Sequence, residues 1–175
     1  YTHPLILGID NFAHPTITIK SILFKGSSSP LFYGKSVNLN LYEDRFIDFY
    51  NETIKLSDKL YLYSKLFFDN CMITIDKCTF MNDNQDEQGG SIEIANSSLL
   101  CRYSTFDYCS SFYGAVYGSF STLNFKNTNF SFCMAENAGC VALDRSESYF
   151  SNCIFNNNLA TNFSTISVFQ ESIYL

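Results

Sequence analysis

The chain has 175 residues, 11 basic against 17 acidic, a net charge of −6 and only 16% charged side chains. Neutralising phosphates takes a basic stripe and none is visible, so the balance argues against a nucleic-acid partner. The 46% hydrophobic content, with 18 Phe and 12 Tyr, argues against disorder. No apolar run approaches the ~18 residues that carry a helix across a bilayer.

The first ten residues, Tyr1 to Asp10, lack an initiator Met, a basic segment and a long apolar core. They do not read as a signal peptide, and the chain is expected to be a processed product or a piece of something longer. His3 and His14 each precede a proline without an Asp or Cys set nearby, and they read as surface residues. Ala is scarce at 7, while 22 Ser, 17 Asn and the aromatics favour strands and turns over long helices. The expected class is all-β.

Residues 17–24 carry Ile17, Ile19, Ile22 and Phe24, a spacing that returns as Leu39, Leu41, Asp44 and Phe46. Only Asp44 departs from the small or apolar character of its place. Residues 17–46 therefore read as irregular coils of a repeat. Residues 47–70 break the register and are expected to hold a distorted coil and an excursion that is partly helical.

From residue 71 the repeat is regular. Phe80, Phe106, Phe130 and Phe155 stand 26, 24 and 25 residues apart. Five residues before each lies Ile75, Cys101, Phe125 or Phe150. Seven before lie Ile73, Leu99, Leu123 and Ser148, and two before lie the small residues Cys78, Ser104, Thr128 and Cys153. A second, independent column holds Ile92, Val116, Val141 and Ile166 behind the corners Gly90-Ser91, Gly114-Ala115, Gly139-Cys140 and Ser164-Thr165.

Each unit offers short strands with one apolar face and cannot bury that face alone, so it must stack on its neighbours. A period near ~25 is too short for a propeller blade and lacks the leucine-rich consensus. A right-handed parallel β-helix satisfies the pattern, with six to seven coils of 24–26 residues in one domain over 1–175, regular over 71–168. Like columns then stack at about 4.8 Å, and the four phenylalanines form an aromatic ladder.

Phe155-Asn156-Asn157-Asn158, together with Gly89-Gly90-Ser91-Ile92 and Tyr113-Gly114-Ala115-Val116, resembles the polymorphic outer-membrane protein repeats. In that family a Phe-x-x-Asn element precedes a Gly-Gly-Ala-Ile element on a β-helix. The pattern departs where Asp83, Cys109 and Cys133 replace the expected Asn. Low Ala and Gly with rich Asn, Phe and Tyr look more like related surface proteins of protists such as trichomonads. The resemblance implies a cell-surface or secreted protein.

Several constellations are candidates for chemistry. A polysaccharide lyase or hydrolase needs Asp or Glu on adjacent coils at matching positions. Asp76, Arg102 and Lys126 share a column and give only a cross-coil ion pair, Glu93 aligns with Tyr117, Ala142 and Ser167, and Asp86 and Glu136 sit two coils apart. No catalytic residue, metal ligand or cofactor is assigned. Residues 82–90 form an acidic loop whose spacing misses the calcium-loop pattern and reads as a solvated turn. Cys109 and Cys133 share a column at a separation a disulfide can bridge, or else stack as thiols. Of the four N-glycosylation sequons, Asn51 and Asn96 read as loop acceptors, whereas Asn129 and Asn162 adjoin strands. Tyr103, Tyr108, Tyr113 and Tyr117 crowd one coil and are candidate recognition aromatics.

The expected function is therefore non-enzymatic: an extended face for adhesion or recognition of a partner-cell or host surface protein or glycan. Open coil ends add a capacity for end-to-end self-association. The alternative is a piece of a carbohydrate-active β-helix enzyme whose catalytic coils lie elsewhere.

Overall fold

A computed structural model describes residues 5–7, 15–25, 32–49, 54–57, 60–62, 66–84, 90–169 and 173–174. Every described element is a strand. Three parallel sheets run the length of the molecule. Sheet 1 stacks Leu5–Leu7, Phe32–Lys35, Leu66–Asp69, Ile92–Ala95, Val116–Ser119, Ala138–Asp144 and Ser164–Phe169. Sheet 2 stacks Thr16–Lys20, Asn38–Tyr42, Met72–Asp76, Ser98–Arg102, Thr122–Lys126, Glu147–Ser151 and Ile173–Tyr174. Sheet 3 stacks Leu23–Lys25, Arg45–Phe49, Thr79–Asp83, Thr105–Asp107, Asn129–Ser131 and Ile154–Asn156. A narrow sheet 4 joins Ser110–Ser111, Met134–Ala135 and Leu159–Ala160. The chain is a parallel β-solenoid.

About five turns are fully built, fewer than the six to seven expected from length divided by period. Two causes are visible. The excursion between Arg45–Phe49 and Leu66–Asp69 takes up much of a coil's worth of chain without adding a rung. The end coils are also incomplete in cover: Ile17, Ile19 and Phe24 at one end and Phe155 and Ile166 at the other are only partly buried. Within the excursion, Ile54–Ser57 pairs antiparallel with Leu60–Leu62, so the expected helical character gives way to a two-stranded hairpin. Alternating apolar residues such as Ile54, Leu60 and Leu62 favour that outcome over a helical period.

Register follows the predicted columns. Ile73 pairs with Leu99 and Leu39, Ile75 with Cys101 and Leu41, and Phe80 with Phe106 and Phe46. Residues 17–25 join the same registers, Ile17 opposite Leu39 and Phe24 opposite Phe46. The aromatic ladder is thus longer than the four rings expected. Phe24, Phe46, Phe80, Phe106, Phe130 and Phe155 stack face to face with centroids 4.7–5.1 Å apart and planes within 9°. That spacing is the strand separation itself, so ring and backbone stacking reinforce each other.

The corners are held by side chains that bond the next coil. Between sheets 1 and 2, the Cys71 N–H donates to Ser97 Oγ at 2.9 Å, Ser97 N–H to Ser121 Oγ at 3.1 Å and Ser121 N–H to Ser146 Oγ at 3.0 Å. Each of these hydroxyls in turn donates to a carbonyl two residues back in its own coil. Asp44, the outlier of its column, is fully buried and accepts from the Ile22 and Tyr42 N–H groups at 2.8 and 3.1 Å. Burial pushes its carboxyl above the usual range, while these two bonds pull it back. At the corner into sheet 1, Gly90 and Gly114 are needed for close approach. A Cβ on Gly90 would overlap the Gly114 carbonyl, and one on Gly114, at φ +98°, the Ala138 carbonyl.

Candidate functional site

With the inner face of each sheet committed to the core, chemistry that can meet a partner collects at corners and on outer faces. The solenoid turns at single residues in the left-handed backbone region. One corner column reads Ser36, Asn70, Asn96, Phe120, Arg145, another Glu43, Lys77, Tyr103, Asn127, Asn152, and a third Asn82, Tyr108, Phe132, Asn157. Asn tolerates this region through its short polar side chain, whereas a bulky side chain there is an outlier. Four corners nevertheless carry aromatics: Tyr103, Tyr108, Phe120 and Phe132, with φ from 49° to 52° and exposures of 59, 52, 52 and 37%.

The roots of these rings are fixed. Their N–H groups donate to Lys126, Ser131, Asp144 and Asn156 carbonyls of the next coil, each at 3.0 Å. Tyr108 and Phe132 stack at 4.9 Å and 7°. Phe120 lies under the Arg145 guanidinium at 4.9 Å. Among the described residues, none makes a ring contact with Tyr103. Beside the Tyr108–Phe132 pair, Met134 and Leu159 are 52 and 61% exposed on sheet 4 and pair with each other, which extends that corner into an apolar strip.

The sequence grouped four tyrosines, and the structure divides them. Tyr103 and Tyr108 occupy two different corners. Tyr113 and Tyr117 lie over the outer face of sheet 1, half-buried and stacked at 4.9 Å and 16°. Phe112 and Phe169 meet Tyr113 edge-on at 4.9 and 5.9 Å. These four rings, with Asn137 and Asp144, line a cleft of about 290 Å³. The Tyr117 phenol is pushed up to about 12, first by burial, then by the Asp144 and Glu93 carboxylates, with Arg145 opposing. Phe112, Phe120, Asn137, Asp144 and Phe169 were missed from sequence. Only Phe120 had a legible signal, since it falls in the corner column of Asn96.

Asn96 is exposed at its corner, its amide donating to Asp69 Oδ1 at 3.0 Å. Asn51 lies outside the described residues, as do His3, His14 and Asp86. Asn129 and Asn162 are exposed as well, and Asn162 donates to Glu136 Oε1 at 3.3 Å and Asn137 Oδ1 at 3.2 Å. The Asp76–Arg102 pair forms at 3.0 Å. Among the described residues, no group of three or more His, Cys, Asp or Glu is placed to hold a metal ion. No described helix is long and apolar enough to cross a membrane.

All seven cysteines are free, six of them buried. Cys109 and Cys133 stack as thiols, both donating to carbonyls of strands in sheet 3. Burial pushes Cys78 up to about 11 and Cys101 up to about 12. Cys109 holds Cys133 down, yet Cys140 and burial together carry it to about 12.

No protein-family model matches the chain, and no curated protein or solved structure matches it. The likeness to polymorphic outer-membrane protein repeats rests on the sequence columns.

Proposed function

We propose that the chain is a non-enzymatic recognition module of a secreted or cell-surface protein, presenting a rigid face to a partner-cell or host surface. One observation carries this reading. Tyr103, Tyr108, Phe120 and Phe132 stand exposed at backbone positions that disfavour them, in columns where other coils place Asn, Lys, Glu, Ser or Arg. A large apolar ring in water and in the left-handed region gains little for the fold, so a contact outside the fold is the reason to keep it. Rings rooted by inter-coil hydrogen bonds are also pre-organised and lose little freedom on binding. The likeness to β-helix surface repeats supports the same reading, and so does the exposed sequon at Asn96.

The test compares beads coated with the chain and beads coated with a variant carrying Tyr103→Asn, Tyr108→Asn, Phe120→Asn and Phe132→Asn. Both are applied to a panel of cultured cells and a glycan array. Expected is saturable binding by the chain and at least tenfold weaker binding by the variant, with the circular dichroism spectrum preserved and the melting temperature not lowered. Absence of binding by the chain, or equal binding by both, overturns the reading.

A further inference from the structure

The cleft over the outer face of sheet 1 is lined by none of the four corner aromatics and has its own chemistry. We infer that it is a saccharide-binding subsite, taking one pyranose ring of an uncharged glycan. The inference rests on the recognition reading above and gives it a ligand class.

The floor is the near-parallel Tyr113–Tyr117 stack, with Phe112 and Phe169 edge-on to Tyr113. Such ring faces accept the apolar C–H face of a sugar, and the phenol tips reach its hydroxyls. The polar groups are those a vicinal diol needs. Asp144 Oδ1 is shielded from water and accepts no hydrogen bond, its nearest cation being Arg145 Nε at 3.8 Å. An acceptor left unpaired in this way costs free energy that a donating ligand hydroxyl recovers. Asn137 is 92% buried, and its amide oxygen is already taken by Asn162 Nδ2 at 3.2 Å. A carboxylate oxygen that accepts no hydrogen bond and the Asn137 carboxamide thus line the same cleft as an aromatic floor. At about 290 Å³ the space is at the small end of ligand clefts, which run ~300–1,000 Å³, and suits one ring of a chain that continues into solvent.

A cationic ligand is the competing chemistry, because aromatic groups and a carboxylate also hold quaternary ammonium. Two features favour the sugar. The rings touch one another and make a floor, whereas a cation cage needs rings standing apart around a void. Arg145 already sits beside Asp144 and repels a second cation.

The test titrates the chain with glucose, galactose, mannose, N-acetylglucosamine and their β-linked disaccharides, followed by saturation-transfer NMR and calorimetry. Choline serves as the cation probe. Expected is saturable binding of at least one sugar at millimolar concentration or tighter. Asp144→Asn, which preserves shape and leaves the rings in place, should weaken it at least fivefold, and Tyr113→Ala should abolish it. A corner variant carrying only Tyr103→Asn, Tyr108→Asn and Phe132→Asn, which leaves Phe120 under Arg145, should bind the same sugar unchanged. No saturable sugar binding, choline binding in its place, or sugar binding unaffected by Asp144→Asn overturns the inference. The two readings fail separately: loss of cell binding in the corner variant with no sugar bound sinks only the cleft, whereas sugar bound with no cell binding sinks only the corners.

Discussion

Replacing Tyr103 with Asn tests the premise that its ring is held at a cost to stability. Tyr103 has φ 51°, is 59% exposed and makes no ring contact among the described residues, and its column neighbour on the following coil is Asn127 in the same conformation. Removing the ring therefore gives up only the smaller, covered part of its surface, and the Tyr103 N–H bond to the Lys126 carbonyl belongs to the backbone and survives. Asn is enriched several-fold over other residues in the left-handed region, a bias equivalent to about 0.6–1 kcal/mol. The variant should be more stable by that amount, which in a chain of this size raises the melting temperature by about 1–4 °C. Thermal and urea unfolding followed by circular dichroism read it, with unchanged denaturant dependence showing that the native state is intact. A variant less stable by 1 kcal/mol or more would refute the reasoning. The ring would then be part of the fold, and its exposure would no longer point to a partner.

Phe106, fully buried between Phe80 and Phe130, should cost about 3–5 kcal/mol on replacement by Ala in urea unfolding. Phe155→Ala should cost roughly half as much, because its ring is only partly covered and stacks on one face. Ser121→Ala should lose about 1–3 kcal/mol, since it strands the buried Ser97 N–H, and Ser121→Thr should recover part of this in the same assay. For the thiols, brief alkylation of the native chain at pH 8 should modify Cys153 first and leave the six buried ones, with all seven reacting in denaturant, as mass spectrometry of the peptides would resolve.

What the sequence disclosed was the part of the molecule that repeats. Phe80 to Phe155, Ile73 to Leu123 and Ile92 to Ile166 announce themselves because parallel stacking forces like residues into like columns, and register follows from that alignment. The ladder's extension to Phe24 and Phe46 was legible from the same spacing. The excursion was not: residues 47–49 and Leu66–Asp69 keep the sheet registers, but nothing repeats between them, and the pairing of Ile54–Ser57 with Leu60–Leu62 shapes the part described. The cleft was hidden for a related reason. Its members come from the coil corner at Phe112 and Tyr113, from Tyr117, from Asn137 and Asp144 a coil later, and from Phe169 another coil on. Asp144 and Phe169 share a column, but Phe112, Tyr113 and Tyr117 fall in others, and only the fold of the corner over the outer face of sheet 1 brings the two sets together.

The same geometry explains how such a chain can carry recognition without endangering its fold. Inward columns are constrained by volume and by hydrogen bonds to the coils on either side, as Ser97, Ser121 and Ser146 illustrate. Corner residues contribute their backbone to the ladder and hold their side chains outside it. Glu43, Lys77, Tyr103, Asn127 and Asn152 make equivalent turns with four kinds of side chain that differ in charge, size and polarity. Substitution at a corner therefore changes the surface by a whole side chain while moving stability by about a kilocalorie. A solenoid of this kind separates the side chains left open to the surroundings from those that set its stability. For that reason the corner aromatics and the Tyr113–Tyr117 cleft are open to mutation one at a time, each read by binding with the fold as an internal control.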